Sequence, residues 1–285
     1  MPIVVTGATG RLGRLVVEAL LDRGVAAEHI VAAGRNTDKI KDLADRGVQV
    51  RAIDFNDPAT LRAAFAGAEK VLLVSGSEIG QRAAQHQNVI DAAGSTGVGL
   101  LAYTSIANAD RTSMRLAAEH RATETTLRAS GVPFALLRNG WYAENYTDQI
   151  GTYRQHGVVL GSAGAGRISA ATRADYAAAA ATVLTADGQQ GRVYELGGDQ
   201  AFTMTELASE ISNATGQDIA YQDLSVDEYT QVLIDAGMPE PAAALYADSD
   251  RAITHGDLHV TSGDLSRLIG RPTTSLTDAV TAALN

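Results

Sequence analysis

The 285-residue chain has no cysteine, which excludes disulfides, thiolate metal sites and thiol catalysis while leaving the compartment open. It has no excess of positive charge. Its 33 acidic and 23 basic residues give a net charge of −10, which argues against a nucleic-acid-binding surface as its main role. No apolar run is long enough to cross a bilayer; the longest, Tyr176 to Leu184, is mostly alanine. No signal peptide fits ahead of Ile3, so a cytoplasmic location without a membrane partner is expected. Internal repeats and low-complexity linkers are absent as well. What is present, 45% apolar and 20% charged residues, is ordinary for a soluble globular protein. The length suits two domains, or one large α/β domain with a smaller lobe.

The most informative segment lies at the start. Ile3-Val4-Val5-Thr6 reads as a strand, Gly7-Ala8-Thr9-Gly10-Arg11-Leu12-Gly13 as a glycine turn, and Leu15 to Leu21 as the body of a helix. Glycines at 7, 10 and 13 let the backbone approach a pyrophosphate, whose charge the free N–H groups and positive dipole end of the helix favour. The spacing is G-x-x-G-x-x-G rather than G-x-G-x-x-G. The flanking strand and helix supply the context that makes it a dinucleotide site.

Apolar runs alternate with amphipathic stretches as far as residue 140 or so, which predicts repeated βα units and a parallel sheet. Strands are expected at Ile3–Thr6, Ile30–Ala33, Gln49–Ile53, Lys70–Val74, Leu100–Thr104 and Phe134–Leu137. Helices are expected at Thr37–Arg46, Pro58–Phe65, Arg82–Ala93 and Ala117–Ala129. Gly24, Gly47, Gly67, Gly97 and Gly131 stand where helices should stop. After Arg138 the pattern loosens. Gly161 to Gly166 reads as a flexible loop, Arg192–Leu196 as a further strand, and Thr203-x-x-Glu206 and Ser225-x-x-Glu228 as capping boxes opening helices. The predicted fold is α/β: a doubly wound parallel Rossmann sheet with a smaller, mainly helical C-terminal lobe. Residues 1–140 form the dinucleotide-binding core; residues 141–285 complete the sheet and build the substrate lobe.

The second strand ends Ala32-Ala33-Gly34-Arg35-Asn36. An NAD site usually has a carboxylate there for the ribose 2′-hydroxyl. The cation Arg35 instead suits a 2′-phosphate in fork geometry, with Arg11 as a second charge, so NADPH is expected to be preferred over NADH. Asp54 suits either the adenine amino group or the cap of the helix starting near Pro58. Ser75-Gly76-Ser77 ends the fourth strand, where small residues let the chain pass close to a ribose.

The glycine turn resembles that of the extended and atypical short-chain dehydrogenase/reductase superfamily. Its carbonyl-reducing members carry a serine after the fifth strand and then Tyr-x-x-x-Lys. Ser105 in Tyr103-Thr104-Ser105 fits the serine, but Leu116 and His120 stand in place of tyrosine and lysine. Ordinary alcohol–ketone interconversion is therefore not expected. An acceptor whose reduced form tolerates negative charge, such as a quinone, or a cationic dye that hydride addition neutralises, needs no dedicated acid. His120 is the best remaining proton donor or orienting group, because histidine titrates near neutral pH. A surface or structurally hydrogen-bonded histidine is at least as strong a reading.

Four segments carry a closer resemblance: Ser75-Gly76-Ser77-Glu78-Ile79-Gly80-Gln81-Arg82, Tyr103-Thr104-Ser105, Arg138-Asn139-Gly140-Trp141-Tyr142-Ala143-Glu144-Asn145-Tyr146 and Ala171-Thr172-Arg173-Ala174-Asp175-Tyr176. They are similar to the NmrA-like group, and within it to bacterial NAD(P)H:quinone oxidoreductases, through to Leu268–Leu276. The resemblance implies two-electron reduction of a small planar quinone by NADPH, without flavin or metal, and leaves a homodimer open. It implies that Gly7, Ala8, Thr9, Gly10, Arg11, Leu12, Arg35, Ser75, Gly76 and Ser77 hold the cofactor. It also implies that Asn139, Gly140, Trp141, Tyr142, Ala143 and Glu144 lie against nicotinamide and acceptor. Trp141 and Tyr142 suit either a flat wall for a planar ring or packing at the lobe interface. Arg173 and Asp175 suit the first turn of a helix. Two other readings stay open: a non-enzymatic NADP(H) sensor of the NmrA regulator type, and a reductase of triphenylmethane-type dyes.

Overall fold

The computed structural model describes residues 2–78 and 80–285; Met1, and Ile79 in the Ser75–Arg82 segment quoted above, lie outside the described residues. The chain opens with β1 (Ile3–Val5), α1 (Arg11–Asp22), β2 (Ile30–Gly34), α2 (Lys41–Asp45), β3 (Gln49–Ala52) and α3 (Pro58–Phe65). It continues through β4 (Lys70–Leu73), α4 (Arg82–Thr96), β5 (Leu100–Ile106), α5 (Ala117–Ala129) and β6 (Phe134–Asn139). Then follow α6 (Glu144–Thr147), α7 (Ile150–His156), β7 (Val158–Gly161), α8 (Arg173–Thr185), β8 (Arg192–Leu196), α9 (Met204–Thr215) and β9 (Ala220–Asp223). The last elements are α10 (Val226–Asp235), α11 (Glu240–Thr254), α12 (Asp264–Ile269) and α13 (Leu276–Leu284).

Seven parallel strands form the main sheet in the order β3-β2-β1-β4-β5-β6-β8. This is the doubly wound arrangement that the alternating pattern predicts. The strand order reverses at β1, between β2 and β4, and opens a crevice at the carboxyl ends of those strands. Strands β1, β2 and β5 are buried along their whole length, because helices cover both faces; hence the unbroken apolar sequences of β1 and β2 and the apolar start of β5. On one face, the apolar stripe Leu12, Val16, Val17 and Leu20 of α1 packs with the small side chains Ala177, Ala180 and Ala181 of α8. The alanine-rich run is thus a buried helix. On the other face, Leu61 and Phe65 of α3, Val89 and Ile90 of α4 and Leu127 of α5 cover Val4, Val71 and Tyr103. Among the described residues, no helix is long and apolar enough to cross a membrane.

A third core belongs to the C-terminal lobe, where Tyr146, Tyr153, Val159, Leu207, Ile211 and Ile253 meet. Both expected capping boxes form, with Thr203 and Ser225 accepting from the backbone of Glu206 and Glu228. The glycine stops hold too: Gly97 ends α4 in the left-handed conformation, φ +71°, that a side chain disfavours.

Two expectations need correction, and one element is new. The helix expected over Thr37–Arg46 is split into a 3₁₀ turn at Thr37–Ile40 and the short α2. Asn36 accepts from the backbone of Asp38, two residues on, which tightens the first turn. The Gly161–Gly166 loop is pinned: the amides of Ser162, Ala163 and Gly164 donate to Asp250, the Tyr221 hydroxyl and Asp223. The lobe also holds a small parallel sheet of β7 and β9, which the sequence reading did not anticipate.

At the carboxyl ends of β5 and β6, Arg138 is only 5% exposed. Its Nε and Nη2 donate to Glu124 at 2.9 and 2.7 Å and its Nη1 to Glu195 at 2.8 Å. Ser105 donates to the same Glu124 at 2.6 Å. Removing the cation takes two hydrogen bonds from buried Glu124 and leaves it only half-exposed Arg128 at 3.8 Å as counter-charge. Arg138→Met should therefore cost roughly 3–5 kcal/mol of unfolding free energy, measured by urea titration; a loss below about 1 kcal/mol would show that solvent already screens the cluster.

Candidate active site

The crevice between β2, β1 and β4 holds a cleft of about 300 Å³. Its floor is the glycine turn. Gly7 takes φ +62° against Val74, and a Cβ on Gly13 would lie 2.3 Å from the Gly7 carbonyl oxygen. A Cβ on Gly34 would lie 2.6 Å from the Thr9 side chain. The turn therefore folds back on itself as only glycine permits. Helix α1 begins after Gly10 with no side-chain cap and no acidic residue in its first turn. Its first N–H groups are available to an anion in the cleft, so a dinucleotide pyrophosphate fits.

Of the residues expected to hold a cofactor, Gly7, Thr9, Gly10, Arg11, Leu12, Arg35, Ser75, Gly76 and Ser77 line this cleft. Ala8 does not: its side chain is fully buried in the core beside α1, and its amide donates to Ala33. Both expected cations carry carboxylate partners. Arg11 pairs with Asp148, the C-cap just after α6, and Arg35 with Glu78 at 2.5 Å. Asp54 also lines the cleft, and the helix cap is a different residue: Asp57 accepts from Ala59 at the start of α3, while Asp54 accepts from Asn56.

The loop after β4 is held from beneath by groups that sequence reasoning did not single out. The Ser75 amide donates to Thr104, and the Gly76 amide donates to Nε2 of His86 at 3.0 Å. Arg82, buried and paired with Glu119, donates to the Gly76 carbonyl at 2.8 Å. Because His86 accepts at Nε2, its proton sits on Nδ1, which donates to Thr123 at 3.0 Å. Burial, with the Arg82 cation a smaller influence, pushes the His86 pKa down to about 3, so the ring is neutral at physiological pH. His86 lies in mid-helix and only the packing of α4 on α5 reveals its role.

His120 is buried 2.7 Å from the Tyr103 hydroxyl and is not among the cleft-lining residues. The expectation that it titrates near neutral pH is corrected. Burial and then the Arg82 cation hold its pKa well below the ordinary histidine value. Tyr103 is raised above the ordinary phenol value by burial, so this pair is neutral. Ser105, in the serine position after the fifth strand, is committed to Glu124.

None of Asn139 to Glu144 is among the residues lining the cleft; the chain just beyond them is joined to the glycine turn by the Arg11–Asp148 pair. Gly140 fits beneath the Leu196 carbonyl and the Tyr176 hydroxyl, where a Cβ would come within 3.0 and 3.1 Å. Trp141 packs on the lobe core, whereas Tyr142 packs on the core beneath α8 in an edge-on contact with Tyr176. Arg173 opens α8 and stacks 4.6 Å above the Tyr142 ring, with Glu144 accepting from its backbone. Ala143 is buried and its amide bonds Ala171. Asn139 Oδ1 is buried without a hydrogen-bond partner among the described residues, whereas Glu144 Oε2 and Arg173 Nη1 face each other as an ion pair at 3.5 Å. An unpartnered atom such as Asn139 Oδ1 marks a place where a ligand or water completes the bonding.

Asp250, buried beside the pinned loop, is pushed up to about 6 by burial. This gives opposed pH effects. The two histidines have folded pKa values below their unfolded value of about 6.5, so their contribution to stability is lost as pH falls below that value, by about 1.4 kcal/mol per unit for each. Asp250 binds its proton more tightly when folded and offsets about 1.4 kcal/mol per unit between roughly pH 6 and 4. Urea unfolding should show stability falling from pH 6.5 towards 4. Asp250→Asn should steepen that fall by about 1.4 kcal/mol per unit, and an unchanged slope would refute this assignment.

The sequence model of the NmrA-like family matches residues 1–256. Quinone oxidoreductase 2 of Escherichia coli is 48% identical over 283 residues, covering 99% of both chains. The crystal structure of the E. coli NADPH-dependent quinone oxidoreductase complexed with NADPH superposes with a TM-score of 0.96, covering 99% of this chain and 100% of that one. The Citrobacter sp. triphenylmethane reductase complexed with NADP(H) superposes at 0.93, with 40% identity and 99% of each chain covered. A glycine cradle at the strand-order reversal, the absence of a Tyr-x-x-x-Lys pair and a match over nearly all its length agree: this chain is a member of the NmrA-like family.

Proposed function

We propose that this protein is an NADPH-dependent quinone reductase that works without flavin and without a dedicated acid pair. The observation that carries the reading is the cleft itself: a phosphate-accepting glycine cradle with Arg35 at its rim, in a chain 48% identical throughout to a quinone oxidoreductase. The nicotinamide of a bound NADPH supplies the hydride that turns a quinone into its hydroquinone anion.

The chain's own residues bind and orient. The α1 N-terminus and the Gly7–Leu12 backbone receive the pyrophosphate, and Arg35 receives the 2′-phosphate, which makes NADH the weaker coenzyme. Asp54 accepts from the adenine amino group. The Ser75–Ser77 loop, fixed by neutral His86 and by Arg82, passes the ribose. Asn139 to Glu144 flank the acceptor, with the Tyr142 ring held rigid under the Arg173 guanidinium. His86 and His120 are both neutral and bonded within the protein, so neither is a proton donor at neutral pH. The hydroquinone anion takes its proton from water. Such an acceptor tolerates this because aromatisation drives its reduction.

Loss of NADPH absorbance should be rapid with benzoquinone and menadione and slow with a triphenylmethane dye. Turnover of the dye alone would make the chain a dye reductase, and tight NADPH binding without turnover would make it a cofactor sensor. Arg35→Asp should weaken NADPH binding at least tenfold, about 1.4 kcal/mol, with the fold intact; an unchanged preference for NADPH would remove Arg35 from the phosphate site. His120→Ala should lower quinone turnover less than tenfold, and a much larger loss would restore it as a catalytic acid.

A further inference from the structure

Arg35 and Glu78 come from opposite walls of the cleft, the first from the end of β2 and the second from the loop after β4. Their side chains meet at 2.5 Å, and the second carboxylate oxygen of Glu78 accepts from Gln85 of α4 at 2.9 Å. All three residues line the cleft. The two partners are unequally held: the Arg35 side chain is 69% exposed and free to swing, whereas that of Glu78 is 33% exposed and keeps its Gln85 bond if Arg35 leaves. The anchors at Gly76 hold the loop that carries Glu78.

We propose that Glu78 is a second reader of the coenzyme ribose, so that one subsite accepts a 2′-phosphate on Arg35 and a free 2′-hydroxyl on Glu78. This rests on the assignment of Arg35 to the 2′-phosphate. A phosphate must take the guanidinium from Glu78 and then sits beside an uncompensated carboxylate, so Glu78 lowers affinity for NADPH. A hydroxyl is a hydrogen-bond donor. It binds the carboxylate with the Arg35–Glu78 pair still intact, so Glu78 raises affinity for NADH. The usual reader of that hydroxyl is an acid at the end of the second strand, where this chain has Gly34 and Arg35. Glu78 supplies the missing carboxylate from across the crevice.

The test is titration of NADPH and NADH binding to the resting protein by calorimetry, with circular dichroism confirming that the variants are folded. Glu78→Gln keeps the Gln85 neighbour and removes the charge. It should tighten NADPH and weaken NADH, each by about three- to tenfold, as suits loss of a half-exposed charge interaction. Opposite movement of the two affinities is the signature, because a merely structural residue moves both together. Movement in the same direction, or no movement, overturns the role of Glu78. Arg35→Gln is the control for the underlying assignment and should weaken NADPH while sparing NADH. If Arg35→Gln behaves so and Glu78→Gln does not, only the present inference fails. If Arg35→Gln leaves NADPH binding unchanged, the phosphate assignment fails and the inference with it.

Discussion

The close approach of Gly13 to the Gly7 carbonyl is the constraint on which the site depends. A single methyl group there would sit 2.3 Å from that oxygen, so the turn closes only with hydrogen at position 13. Closing the turn aims the uncapped start of α1 into the crevice at the sheet's order reversal. The helix in turn is held by its apolar stripe on alanine-rich α8, a helix contributed from far along the chain. One steric condition thus links the first strand, the first helix and the later half of the sheet, and places a partial positive charge where a pyrophosphate belongs.

Opposite that floor, the chain uses buried neutral groups where related chemistry uses charged ones. His86 accepts from the Gly76 amide, and His120 meets the Tyr103 hydroxyl. A cation, Arg82, lies among them with Glu119 as its counter-charge. Its field and the surrounding burial together oppose protonation of both rings. The same burial that steadies the cleft wall therefore removes the histidines as acids. This suits an acceptor that can leave the site as an anion, and it agrees with the replacement of the tyrosine–lysine pair by Leu116 and His120. Charge at the mouth is arranged in the other way: Arg11 and Arg35 are both exposed and both paired with carboxylates.

The amino-acid sequence by itself determined the parallel α/β architecture, because strands covered on both faces must be apolar throughout and the helices between them end at glycines. It also determined the dinucleotide cradle, since Gly7, Gly10 and Gly13 act through the absence of side chains close to one another in the chain. The two capping boxes were legible for the same reason, each being a contact across three residues. Tertiary structure alone decided what depends on distant partners. Ala8 belongs to the motif yet faces the core, packed with the α1 stripe and bonded through its amide to Ala33 of β2. His120 titrates far from neutrality because α5 buries it against Tyr103 and near Arg82. The contacts of His86 and Glu78 carry no local signal. They form because α4 packs on α5 and the loop after β4 crosses to meet Arg35, with partners 37 and 43 residues away in sequence.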